Sequence, residues 1–190
     1  MAVTNEFAVR YLKDMKDSKA LIDSSCKTWD HEAKVQLSRR ITRKTEYEKS
    51  SRTGSIAISV YFSNGSQASF LFVPSTISTY DLHSEIRDNL IEEIKDCDTI
   101  SFNVKTLKPM HQKALISAFS SVIDLMNWLP PLYGRKTKEK KRLPKKDYGF
   151  YSDLGNEETD KLMHEGFIIA DGTNLVRTLA MTPHNYAIGS

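Results

Sequence analysis

Between Glu157 and Met181 the apolar side chains fall at helical spacing: Leu162, Ile169 and Val176 are seven apart, with Ile168, Leu175 and Leu179 beside them. A stripe that persists this far, until Pro183 stops it, predicts one helix of about seven turns. Such a helix is long for a small domain. It must be packed along its length or leave part of its stripe uncovered. Gly166 and Gly172 interrupt it, and each weakens an exposed helix interior by about 1 kcal/mol, so close packing is expected to justify them.

The 190 residues leave room for one sizeable domain before this helix. Ile56, Ile58, Val60 and Phe62 alternate with smaller or more polar neighbours, the period of two of a strand. Asn64-Gly65 supplies a turn, and the apolar run from Ala68 to Val73 completes a β-hairpin. Leu82, Ile86, Leu90, Ile94 and Cys97 mark an amphipathic helix that Ser78 or Thr79 could cap. Thr99 to Val104 reads as a short strand. Pro109 suits the first position of a second helix, with Leu115, Ala118, Phe119, Val122, Met126 and Leu129 on its apolar face and Pro130-Pro131 at its end. The aromatic cluster Tyr148, Phe150 and Tyr151 suggests another strand. The first 55 residues carry only sparse apolar side chains among charges and give no clear pattern. Helices between apolar strands indicate an α/β layer structure. The division this suggests is an α/β domain over residues 1–151 and the long helix with its continuation over 152–190.

Composition narrows the classes. No run approaches the roughly 18 apolar residues of a membrane span, and the start Met1-Ala2-Val3-Thr4 has no secretory character, so a cytoplasmic protein without membrane contact is expected. Cys26 and Cys97 are isolated, without the spacing of a disulfide framework or a zinc site. The net charge of +3 is local: Arg135 to Lys146 hold eight basic residues against Glu139, and the rest of the chain is acidic.

Catalysis calls for a nucleophile with its base, paired carboxylates in a recognisable setting, or metal ligands at usable spacing. The sequence shows no Gly-x-Ser-x-Gly, no Gly-rich phosphate loop and no His-Glu-x-x-His. His31, His83, His111, His164 and His184 are scattered, as surface or structural histidines usually are.

The most specific segment is the end of the long helix, Gly172-Thr-Asn174-Leu175-Val-Arg177-Thr-Leu179, followed by Pro183-His-Asn185. It resembles the segment joining the two domains of leucyl aminopeptidases, the cytosol aminopeptidase family. Asn174, Leu175, Arg177, Leu179, Pro183 and Asn185 match that junction pattern in identity and spacing, while Val176, Met181 and His184 depart from it. The resemblance implies a macro-domain-like α/β fold, with a mixed sheet flanked by helices and a long connecting helix. It implies a non-catalytic N-terminal domain of a peptidase that removes N-terminal residues from peptides. The family's catalytic domain, which follows this junction, holds two divalent ions, zinc or manganese. None of its ligand motifs occurs here, so this chain is expected to hold no cofactor and to be inactive. The implied partners are its own catalytic domain and other subunits of a homo-oligomer, a hexamer in the family; the implied roles are assembly and control of access.

Two other readings compete. Arg135, Lys136, Lys138, Lys140, Lys141, Arg142, Lys145 and Lys146, beside Tyr133 and Tyr148, could track phosphates while rings stack on bases, as in a nucleic-acid-binding module contacting DNA. A macro-type domain binding ADP-ribose is the third, with no Gly-rich loop to support it.

Overall fold

A computed structural model describes residues 4–15, 41–46, 50–62, 67–94, 97–128 and 147–182. Six strands form one mixed sheet in the order β2-β3-β4-β1-β5-β6. They are β1 (Thr4–Tyr11), β2 (Ile41–Glu46), β3 (Ile56–Phe62), β4 (Gln67–Val73), β5 (Thr99–Asn103) and β6 (Asp147–Tyr151). The helices are α1 (Thr79–Ile94), α2 (Pro109–Met126) and α3 (Asn156–Met181). This is the α/β arrangement read from the sequence, a mixed sheet flanked by helices with a long helix at its C-terminal end.

The unreadable N-terminal region supplies the middle of the sheet. β1 pairs parallel with β4 on one side and with β5 on the other. Phe7, Val9 and Tyr11 point to one face and Ala8 to the opposite face, all buried. A parallel strand covered on both faces needs no clean alternation of apolar and polar residues. Arg10 fits because it lies near the strand ends, where its Nη1 donates to the carbonyls of Val9 (2.9 Å) and Asn103 (3.2 Å).

The expected hairpin is β3–β4, antiparallel, with Ile58 opposite Phe70 and Val60 opposite Ala68; its turn at Asn64-Gly65 lies outside the described residues. β2 adds antiparallel to β3, whereas β5 and β6 pair parallel. Parallel neighbours require crossovers, and α1 and α2 provide them after β4 and β5. Ser78 caps α1: its Oγ accepts the Asp81 N–H at 3.1 Å and donates to Asp81 Oδ2 at 2.7 Å. Pro109 occupies the first turn of α2, as predicted, but the helix ends at Met126 with Asn127 as its cap, before the proline pair.

The helices pack α1 to α2 and α2 to α3. Between this layer and the sheet lies the main core, where the Phe102 and Phe119 rings stack at 4.0 Å and Phe7 meets Phe119 edge-on at 5.5 Å. Ile58, Val60, Phe62, Phe70 and Phe72 make a second cluster on the opposite face. No described helix is long and apolar enough to cross a membrane.

The two glycines of α3 differ. A Cβ on Gly166 would stand 2.5 Å from the Ser117 carbonyl oxygen and 2.7 Å from Ser120 Cβ on α2, so only glycine allows this approach. The expected close packing therefore holds at Gly166. At Gly172 it does not: a Cβ there meets nothing within 4 Å. Gly166→Ala is expected to lose about 1 to 2 kcal/mol, because the clash is with backbone and outweighs the gain in helix propensity. Gly172→Ala is expected to gain up to about 1 kcal/mol. Denaturant unfolding of the two variants checks the contrast, and equal effects would contradict it.

Candidate interaction surface

α3 is fixed to the body along one side. Near its start the Lys113 Nζ and Glu158 Oε1 atoms form an ion pair at 2.5 Å, and Leu162 and Met163 pack on the main core. In the middle, Gly166 and Ala170 are buried against α2 one helical turn apart, the spacing that puts both on one face. Toward its end, Trp128 Nε1 donates to Thr178 Oγ1 at 3.3 Å, and the Arg177 guanidinium lies 5.6 Å from the centre of the Trp128 ring. Arg177 Nη1 also donates to Asn174 Oδ1 at 3.4 Å.

The remaining apolar residues of α3 stay largely accessible, Ile169 at the mouth of a cleft between the helices. Phe167, Ile168, Ile169, Leu175, Val176, Leu179 and Met181 are each between 49% and 66% exposed. Scattered apolar side chains are ordinary on a surface, but Ile168, Leu175, Val176 and Leu179 fall at helical spacing on one face, the mark of an interaction site, whereas Phe167 and Met181 lie on other sides of the helix. Its C-terminal half coincides with the junction pattern. Leu175 and Leu179 stand outward, whereas Arg177 is tied to Asn174 and lies over the Trp128 ring. The structure thus brings together four of the six junction residues. Pro183 and Asn185 lie outside the described residues. So do Arg135, Lys136, Lys138, Lys140, Lys141, Arg142, Lys145 and Lys146.

Three polar features lie elsewhere. The first is a buried latch at the C-terminal end of β1, where Tyr11 (4% exposed) and His111 (2% exposed) share a hydrogen bond of 2.9 Å between Oη and Nδ1. Tyr11 Oη also accepts the Lys108 N–H at 3.0 Å, so its own proton goes to Nδ1, and the imidazole keeps its proton on Nε2. Burial pushes the His111 pKa below its ordinary value; a hydrogen bond with the Ile77 backbone opposes this, and the Lys108 charge adds to the lowering. The latch ties β1 to the first turn of α2. Sequence spacing could not reveal it, because the partners are 100 residues apart.

The second feature is Glu85 of α1, which is 6% exposed. Its Oε1 accepts from Ser50 Oγ at 2.9 Å and Thr53 Oγ1 at 2.5 Å, so hydroxyls of the loop before β3 satisfy a buried carboxylate. The third is an open cleft of about 240 Å³ between the helices, lined by Tyr80, His83, Arg87, Ser117, Ser121 and Ile169 among others. That volume is below the roughly 300 Å³ at which small-molecule sites begin. Among the described residues, no three His, Cys, Asp or Glu side chains lie close enough together to hold a metal ion. The outward face of α3 is the feature with a functional reading.

No protein-family model matches this chain, and no curated protein matches it in sequence.

Trp128→Ala removes a hydrogen bond and a cation–π contact, worth together about 1 to 2 kcal/mol. Amide exchange over residues 174–181 should accelerate by about tenfold, with α2 and the sheet unchanged; unchanged protection at 174–181 would refute the anchoring role. For His111 the folded state binds fewer protons than the unfolded chain. The latch's contribution is therefore complete above about pH 6.5, the ordinary histidine value, and is lost as pH falls toward the lower folded-state value. Between pH 7.5 and 5.0 the parent chain should lose more unfolding free energy than His111→Asn does, and equal losses would contradict this.

Proposed function

We propose that the chain is the N-terminal, non-catalytic domain of a metal-dependent leucyl aminopeptidase, with the helix that leads into the catalytic domain. Its work is assembly and control of access, and peptide hydrolysis belongs to the domain that follows. The observation carrying this reading is the outward apolar face at the end of α3, on the same turns that match the family's junction pattern. A helix joining two domains is packed by both. Here Gly166, Ala170 and the Trp128 contacts serve the near side, while Leu175 and Leu179 await the far side. The strand and helix order supports the same reading, because a mixed sheet with crossover helices precedes the long helix, as the resemblance implies.

Arg177 has an architectural role in this reading. Its position over Trp128 sets the direction in which α3 leaves the body, which an ion pair with the next domain need not supply. In this reading the metal ligands and the hydrolytic step belong to the domain that follows, as the resemblance implies.

Two measurements test the proposal. The purified 190-residue chain should show no hydrolysis of leucine amide with zinc, manganese or magnesium, and metal-dependent turnover would contradict the non-catalytic assignment. The coding sequence beyond Ser190 should encode a lysine and aspartate cluster followed by an Asn-Thr-Asp-Ala-Glu-Gly-Arg-like segment. An unrelated sequence there would overturn the family reading.

A further inference from the structure

We propose that the cleft over α2 binds a small carboxylate with a compact aliphatic body, held by Arg87 and His83 at its charged end. The inference does not rest on the aminopeptidase reading and uses none of the outward face at the end of α3.

Size sets the first limit. The cleft holds about 240 Å³. A water-sized group takes about 30 Å³ in a liquid, so the space matches a ligand of about eight non-hydrogen atoms. A nucleotide or a drug-sized molecule is too large for it.

The lining sets the chemistry. Tyr80, His83 and Arg87 fall three and four residues apart, so they share one face of α1 and form one wall. Ala118, Val122 and Leu125 of α2 make an aliphatic floor, and Ile169 of α3 stands on the far side. Polar groups along one wall with aliphatic groups below and opposite suit a molecule that has one polar end and an apolar body.

Charge fixes the sign of that end. Among the described residues lining the cleft, Arg87 is the one with a full charge. Its guanidinium pairs with Asp88 at 3.4 Å, but the two side chains are 67% and 61% exposed, and a surface pair of this kind is weak. Five N–H donors leave the guanidinium able to accept a second carboxylate beside Asp88. His83 lies one turn away on the same face. Partial burial lowers its pKa, so the ring is neutral at pH 7 and supplies an N–H donor without adding charge. Glu165 precedes Ile169 by one turn of α3, which repels an anion from that side and directs the carboxylate to α1. An ammonium group would meet Arg87 and no lining carboxylate.

So small a ligand in an open cleft binds with a dissociation constant on the order of millimolar. The test titrates the 190-residue chain with 4-methylpentanoate, a branched carboxylate of the required size, to about 20 mM, followed by amide proton–nitrogen correlation spectra. Saturable shifts should concentrate at residues 80–87, 117–125 and 169. The neutral amide of the same skeleton should bind about tenfold or more weakly, because it forfeits the charge-assisted bonds. Arg87→Gln, at an exposed position, should keep the parent fold and reduce the carboxylate to the level of the amide. Ile169→Ala should weaken carboxylate and amide alike by several-fold, since it removes apolar contact only. Absence of saturable shifts at the cleft would overturn the proposal. So would equal binding of carboxylate and amide, or an Arg87→Gln chain that binds the carboxylate as the parent does.

Discussion

The architecture depends on β1 being hydrogen-bonded in parallel on both sides. Its residues from Asn5 to Tyr11 are in register with β4, and those from Thr4 to Ala8 with β5. Because parallel strands cannot be joined by tight turns, the chain crosses from β4 to β5, on either side of β1, through α1, and the parallel pairing of β5 with β6 requires α2 in the same way. Their apolar stripes then require the face formed by Phe7, Val9, Tyr11, Ile100 and Phe102, which becomes the main core. The latch between Tyr11 and His111 closes the same arrangement at one end, where β1 meets the start of α2. Breaking β1 would therefore remove the centre of the sheet and, with Phe7, Val9 and Tyr11, part of the surface on which the helix layer packs.

The helix layer is graded by side-chain size. α2 is covered by the sheet on one side and by α3 on another, closest where Gly166 meets Ser117 and Ser120 and with Ala170 buried one turn on. Small residues bring helix axes close, so the contact is set by shape more than by apolar area. Beyond Leu162 and Met163, which pack on the main core, the larger apolar side chains of α3, among them Ile168, Leu175, Val176 and Leu179, stay largely exposed. The functional reading rests on this division of one helix into a lean inner seam and a bulky outer face.

Much of this was legible because local patterns matched their environments. The β3–β4 hairpin, the Ser78 cap, the Pro109 start and the full extent of α3 are features whose causes lie within a few residues, and the sequence displays them. β1 was not legible, because Glu6 and Arg10 interrupt its apolar residues and its burial comes from strands 60 to 95 residues away. The end of α2 was missed since prolines can only bound a helix from outside; the chain turned earlier, at Asn127. Of the junction residues, sequence marked the set but not the split between them. Leu175 and Leu179 turn outward while Arg177 lies over Trp128, beside the hydrogen bond from Trp128 to Thr178, a distinction made by contacts across about 50 residues.

The two rims of the sheet are unlike its interior. β2, at one rim, pairs with β3 through a register shift between Ile41 and Arg43, and its sequence carries Arg43, Lys44 and Glu46. β6, at the other, is five residues long, begins with Asp147 and contains Gly149. Irregularity, charge and brevity each make a strand a poor template for a passing chain, since extended pairing needs a regular row of free backbone groups. Such rims disfavour the lateral addition of a further strand to a sheet rich in phenylalanine, where backbone pairing would otherwise be indiscriminate.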